Sequence, residues 1–447
     1  AADEARTQRT AVRKALNGCL RSAAQLLVGA GQRAPPTQCT LDEVWAMVAM
    51  DPWPDAERAA AYDEARAAAG ATGTVRMPAR IVKRAVHSLR LGAEHGASGW
   101  RNGLWADIAR LEEGVPGVQA WTEVWANGLV GPMAAQLWQQ ALAVPLRKPS
   151  GGIRAICLQE SPTKLAELAL LMLHERRCSC CTSGALQEAV GRRQFGAGSP
   201  GGAQVALELL RAAIADPATL VVVSTDIANA FGSVFREKVL EAAKRRAPFL
   251  LPYLVAAWQC DGSRIWAEGP FGWAHRDSFR GVLQGSPIAA GLFAVAFEEA
   301  ILQAEIDGDL ERVAYADDRT LWGNEGAPAI AWPRLEGALA EAGLRFRRGK
   351  CASWRPQAAG DNDEANEAEP IVEGIPVGAG LTVLGSELME GCAMRLGAPV
   401  AEAHGGEQAR AVTEELVEEP RRAPRSASGG GVAGAAAARA RPPPPAE

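Results

Sequence analysis

No stretch of this 447-residue chain reaches the ~20 consecutive apolar residues that a membrane-spanning helix needs. The first ten residues, AADEARTQRT, are charged and lack the apolar segment of a signal peptide. The chain starts on Ala rather than Met, as a fragment or a processed chain would. Nine cysteines, an odd number, are scattered over a long sequence, which argues against a disulfide framework. Cys178, Cys180 and Cys181 follow His174 closely enough to suggest zinc. No second cysteine pair with finger spacing accompanies them, so core thiols are the plainer reading. No internal repeat is present. These absences point to a soluble intracellular protein with no membrane partner.

A strong positive charge is also missing: the formal net charge is −5. It is unevenly spread. Residues 1–140 carry 15 Lys+Arg against 14 Asp+Glu, and residues 141–360 carry 25 against 23. Residues 361–447 carry 7 against 15, so the acidity belongs to the C-terminal part. A mildly basic middle is compatible with a phosphate backbone as partner without requiring one.

What is present has an order. Residues 1–77 read as a helical leader without chemistry of its own, broken at Ala34-Pro35-Pro36 and Asp51-Pro52-Trp53-Pro54. Residues 78–143 look helical, with turns at GASG and GVPG. Residues 142–158 read as a hairpin around Pro-Ser-Gly-Gly. LVVVS, from Leu220, has the β-branched run of a buried strand. A helix follows Gly232-Ser233, and another is expected from Ser286 as N-cap and Pro287 as first residue. RVAYADDRTLW reads as two apolar arms around Ala316-Asp317-Asp318. The order β-α…α-β-β-α-β suits an antiparallel sheet backed by helices on one face, an α+β fold. Residues 359–370 read as an acidic loop. Residues 423–447, rich in Ala, Gly, Arg and Pro, are expected to be disordered.

The chemistry gathers in the middle. Asp317 and Asp318 repel one another at a hairpin tip unless a cation lies between them, although Asp also favours solvated turns. Hard divalent cations choose such oxygens. Asp226 ends an apolar strand, VVVSTD, where an unpaired carboxylate has no structural purpose. A strand lying beside the hairpin would bring three carboxylates to one edge, the donor set of a two-metal site. Phe231 reads equally as core packing or as a floor under a sugar. Gln284-Gly285-Ser286 precedes a helix and suits close approach of a nucleotide. Lys148 and Arg154 flank the Gly-rich turn; they read as surface charges or as a grip on a triphosphate. Lys350 reads as a surface lysine or as a proton donor to pyrophosphate.

The ordered set KPSGGIRAI, STDIANAF, LQGSPIAAGLF, YADD, GLRFRRGKC and VLG resembles the reverse-transcriptase domain of LINE-type (non-LTR) retrotransposons. IVKRAVHSLRLGAEHGASGWRNGLW and QEAVGRRQFGAGSPGGAQVALELLRAA are similar to that family's segments before the fingers and leading into the palm. The likeness covers about residues 78–390. It implies a right-hand polymerase: N-terminal extension and fingers over 78–219, palm over 220–390, and a tail over 391–447, with the thumb truncated or absent. It implies that Asp226, Asp317 and Asp318 hold two Mg²⁺ (or Mn²⁺) ions. By the same likeness Lys148, Arg154, Phe231, Gln284 and Gly285 contact the nucleotide, with Phe231 selecting the sugar. Lys350 falls in the fourth palm motif and Leu384-Gly385 at the primer grip. Ala155 stands where the family has Pro, and Arg-Arg-Gly precedes Lys350 where the family has Asn and Pro.

The implied activity is RNA-directed DNA polymerisation, a nucleotidyl transfer using deoxynucleoside triphosphates, an RNA template and a nucleic-acid primer, in the nucleus by family likeness. A silent RNA-binding module of the same shape and a decayed element are the alternatives. A nucleotidyl cyclase would share the aspartates but not the QGSP motif or the fingers hairpin.

Overall fold

The computed structural model describes residues 32–49, 55–90, 93–148, 151–177, 182–197, 199, 201–216, 218–259, 262–306, 310–356, 370–378, 380–383 and 386–389. The cysteine cluster, Pro149-Ser150, the acidic loop as far as residue 369, Leu384-Gly385 and the tail lie outside them.

Helices dominate the first third: α1 (Gln38–Val48), α2 (Asp55–Gly70), α3 (Ala79–Ser88), α4 (Asn102–Ile108), α5 (Gly114–Ala126) and α6 (Pro132–Trp138). GVPG is the first turn of α5 rather than a loop. Gly114 has to be small there, because a Cβ would lie 1.7 Å from the Ile108 carbonyl oxygen. The hairpin of β1 (Ala141–Arg147) and β2 (Ile153–Gln159) follows. Next come α7 (Ser161–Leu173), a short ribbon of β3 (Glu175–Arg177) and β4 (Thr182–Gly184), α8 (Ala185–Val190) and α9 (Gly202–Ala215). Then come β5 (Val221–Thr225), α10 (Ala230–Ser233), α11 (Arg236–Arg246) and α12 (Leu251–Trp258). The remainder runs β6 (Ser263–Gly269), β7 (Gly272–Ser278), α13 (Ala289–Gln303), β8 (Leu310–Tyr315), β9 (Asp318–Gly323), α14 (Ala327–Glu341), β10 (Ala352–Trp354), β11 (Gly380–Val383) and β12 (Ser386–Met389).

The fold is mixed α+β, with mostly antiparallel strands. One four-stranded sheet has the order β2-β1-β6-β7. β1 meets β6 in parallel, so the hairpin near residue 150 joins a second hairpin more than a hundred residues later. Helix α1 covers one face of this sheet. Leu41, Val44 and Trp45 bury against Ala141, Ala143, Ala155, Cys157, Ile265 and Ala267. Within the expected leader, α1 is therefore part of the packed structure.

The second sheet, β10-β5-β9-β8, is wholly antiparallel. It is covered on both faces, where one helical face was expected. Val222, Val313 and Trp354 bury against Leu207 and Leu210 of α9. On the opposite face Val221 and Val223 bury with Trp332 of α14. This two-sided burial is why VVVS reads as a continuous apolar run rather than an alternating one. Across the same side of the sheet, Arg312 and Arg319 both pair with Glu298 of α13, all three almost fully buried. No helix among the described residues is long and apolar enough to cross a membrane.

Candidate active site

β5 ends at Thr225, and the register places Thr225 opposite Arg319 on β9. Asp226 follows Thr225, and Asp318 precedes Arg319. Tyr315 pairs with Asp318, leaving Ala316 and Asp317 as a two-residue turn. Three carboxylates thus meet at one end of the sheet because a strand end and a hairpin tip share a register.

Their electrostatics record that closeness. Burial raises the Asp317 pKa, and Asp226 adds repulsion. Asp318 keeps an exposed edge, yet surrounding protein displaces much of its hydration. With repulsion from Asp317 and Asp226 its pKa is pushed up to about 6. Arg154 pulls both values back down, so the β2 guanidinium lies within Coulombic range of the two aspartates of the turn. Lys148 is lowered by partial burial first, and then by Arg154, Lys350 and Arg347; Asp226 acts the other way. Lys148, Arg154, Arg347 and Lys350 therefore share one electrostatic neighbourhood with the three aspartates. Lys350 itself is exposed, at the end of a short 3-10 turn Arg348–Lys350.

Asp226 is held by its backbone. Its carbonyl accepts from the Arg347 amide at 2.8 Å, and its amide donates to Cys351 Sγ at 3.4 Å. Its buried Oδ1 accepts no hydrogen bond among the described residues, with Arg347 Nε 3.8 Å away. A buried carboxylate oxygen without a donor is costly unless another ligand meets it. Phe231 and Gln284 line a small recess of about 40 Å³, with Ala155, Cys157 and Gly232; none of the three aspartates lines it. Phe231 also stacks on Phe293, ring centroids 5.1 Å apart, so it is both part of the core and a wall of the recess.

Gly285 explains itself. Its φ is +135°, and a Cβ would lie 2.3 Å from the Cys157 carbonyl oxygen. The Cys157 amide donates to the Gln284 carbonyl at 2.9 Å, which ties this segment to β2. Ser286 is not an N-cap: α13 starts at Ala289, and the Ser286 hydroxyl donates to Glu167 Oε2 at 2.7 Å. Glu167 is buried and also accepts from Gln159 Nε2 at 2.7 Å and Tyr253 Oη at 2.5 Å. Burial raises its pKa and these donors oppose the rise. Nothing in the sequence marks Glu167, since one carboxylate in an apolar helical stretch carries no recognisable spacing. Equally unmarked is Asn229, in the left-handed region at φ 49°, whose Nδ2 donates to the Met47 carbonyl and fastens the Asp226–Phe231 turn to the end of α1.

A comparison with models of known protein families and with curated proteins yields no match. The site must be read from its own chemistry. Its donors are all carboxylate oxygens, which suits a hard cation. Among the described residues no group of three or more His, Cys, Asp or Glu side chains is arranged to hold a metal ion by itself. A Mg²⁺ ion needs only one or two carboxylates when phosphate oxygens and water complete its shell. The orphaned Asp226 oxygen and the mutual repulsion of the three aspartates fit such a cation.

Proposed function

We propose that this chain is an RNA-directed DNA polymerase acting by two-metal nucleotidyl transfer. The observation that carries the reading is electrostatic and geometric. Two cations of the β1–β2 hairpin, Lys148 and Arg154, are electrostatically coupled to carboxylates that converge on the β5 and β8–β9 ends. Such an opposition suits a triphosphate between a basic hairpin and carboxylate-held cations.

On this reading Asp226, Asp317 and Asp318 hold Mg²⁺ or Mn²⁺, whose positive charge supports nucleophile formation and pyrophosphate departure. Arg154 and Lys148 take the triphosphate oxygens, Arg154 with a planar fork and Lys148 as a point charge. Phe231 and Gln284 line the place for the sugar and base. Lys350, exposed beside Lys148, is positioned to give a proton to the leaving pyrophosphate. RNA as template, a deoxynucleotide substrate and a nuclear location rest on the resemblance of the ordered motifs to LINE-type reverse transcriptases.

Primer extension on oligo(dT)-primed poly(rA) with Mg²⁺ or Mn²⁺ tests the reading. The full chain is expected to extend, and Asp317→Asn to abolish extension while leaving the fold intact. A folded wild type that extends nothing in either metal overturns it. Salt-dependent RNA binding indifferent to Asp317→Asn would then identify the chain as a silent RNA-binding module.

A further inference from the structure

Asp317 and Asp318 stand on a turn whose main chain is gripped by a residue far away in sequence. Gln194 is fully buried, at 0 % exposure. Its Oε1 accepts from the Ala316 amide at 2.8 Å and from the Gly196 amide at 2.9 Å. Its Nε2 donates to the Ala316 carbonyl at 3.0 Å. The side-chain amide thus pairs with both main-chain groups of Ala316. Only a group offering acceptor and donor together, at this reach, can do so.

Neighbouring residues enforce the contact. The Phe195 amide donates to the Ala314 carbonyl, and the Ala314 amide donates to the Arg193 carbonyl, both at 2.8 Å. The 193–195 segment therefore lies along β8 as an added edge. At Gly196 a Cβ would lie 2.1 Å from the Ala316 nitrogen, so glycine is required for the approach. From the other side, Gln187 Nε2 donates to the Gln194 carbonyl at 2.9 Å, and the Ser199 hydroxyl donates to Gln187 Oε1 at 2.7 Å.

Ala316 needs the grip. Its φ is 56°, in the left-handed region where a residue with a Cβ is strained. The turn also carries two carboxylates that repel each other. Left to itself it would relax by rotating the peptides on which Asp317 depends. We propose that Gln194 is a positioning residue that holds the Ala316–Asp317 turn in its metal-ready geometry. Gln194 touches no reacting atom. The inference rests on the reading that these aspartates hold the catalytic cations.

The test uses the full chain and two variants. Gln194→Met keeps the volume and loses all three bonds. Gln194→Asn retains an acceptor for the amide two residues on but falls one methylene short of Ala316; it guards against a Met variant that fails to fold. Mn²⁺ affinity is measured directly by electron paramagnetic resonance of free Mn²⁺. The half-saturating Mg²⁺ for extension and the KM for nucleotide are measured alongside, at a temperature where each protein is fully folded. Both variants are expected to weaken Mn²⁺ binding and raise the half-saturating Mg²⁺ by about tenfold, the usual effect of losing a residue that orients metal ligands. The nucleotide KM at saturating metal should stay within about twofold. An active wild type whose folded variants keep both metal parameters within about twofold overturns the positioning role alone. A wild type that binds no Mn²⁺ and extends no primer overturns the polymerase reading and this inference together.

Discussion

Thr225 lies directly opposite Arg319 in the β5–β9 register. That pairing brings Asp226, the residue after Thr225, beside Asp318, the residue before Arg319. Arg319 turns inward to Glu298, while Asp318, the preceding residue, is exposed. Alternation along one strand thus separates a buried ion pair from an exposed carboxylate.

The crowding has a pH signature. Asp318 titrates at about 6 in the folded, metal-free chain, against about 3.9 for an unfolded aspartate. The folded state binds the proton more tightly, so this residue makes stability fall as pH rises through the interval between those values. Asp318→Asn is expected to raise the metal-free Tm at pH 7 by roughly 1–3 °C, a modest gain because the group is partly exposed. The gain should vanish near pH ~4, where the wild-type residue is protonated. Calorimetry across that range checks it; a difference independent of pH would show that the repulsion is absent.

Arg154 opposes the rise in both Asp317 and Asp318. Removing it with Arg154→Ala should push Asp318 still higher and move the acid limb of the pH–rate profile upward. The nucleotide KM is expected to rise about tenfold, with Arg154→Lys recovering only part, since lysine lacks the planar fork. Steady-state kinetics against pH decide the point, and a KM unchanged in the alanine variant would place Arg154 outside the substrate path.

Glu298 holds two buried guanidiniums at once. Burial works to raise its pKa, but Arg319 and Arg312 outweigh that and leave it lowered. Its stabilising contribution is present above the ordinary carboxylate range and lost as pH falls through the lowered folded value. Glu298→Gln takes the shared carboxylate from both guanidiniums and is expected to cost about 3 kcal/mol or more in urea unfolding. A loss below about 1 kcal/mol would mean that water reaches the arginines.

Two glycines with positive φ should behave differently. Gly285→Ala meets the Cys157 carbonyl at 2.3 Å as well as a strained φ of +135°. Gly151 has φ +84° and nothing within 4 Å of an added Cβ. Gly151→Ala is expected to cost about 1 kcal/mol and leave extension intact, while Gly285→Ala costs more than about 2 kcal/mol and abolishes it. Equal effects in thermal melts and extension assays would contradict the close approach of β2 to residue 285.

The features legible in the sequence are those whose signal is local. The apolar run before Asp226 marks a strand. Adjacent aspartates between apolar arms mark a hairpin tip, and a Gly-Gly turn flanked by Lys148 and Arg154 marks a basic hairpin. Each is written within about ten residues, the span over which periodicity and turn chemistry act. Helix α13 was legible except for its start, because the Ser286 hydroxyl found Glu167 instead of a helix amide.

What only the tertiary structure decided is how those pieces meet. β1 joins β6 in parallel, α1 anchors the Asp226–Phe231 turn through Met47, and Gln194 grips Ala316 across 122 residues of sequence. None of these contacts has a periodic signature, because each depends on two distant segments arriving together. The sequence by itself singled out the candidate groups, through the residue types and their local spacing. Their common location follows from sheet register and close backbone approach, which exist only once the chain has folded and buried both faces of the β10-β5-β9-β8 sheet.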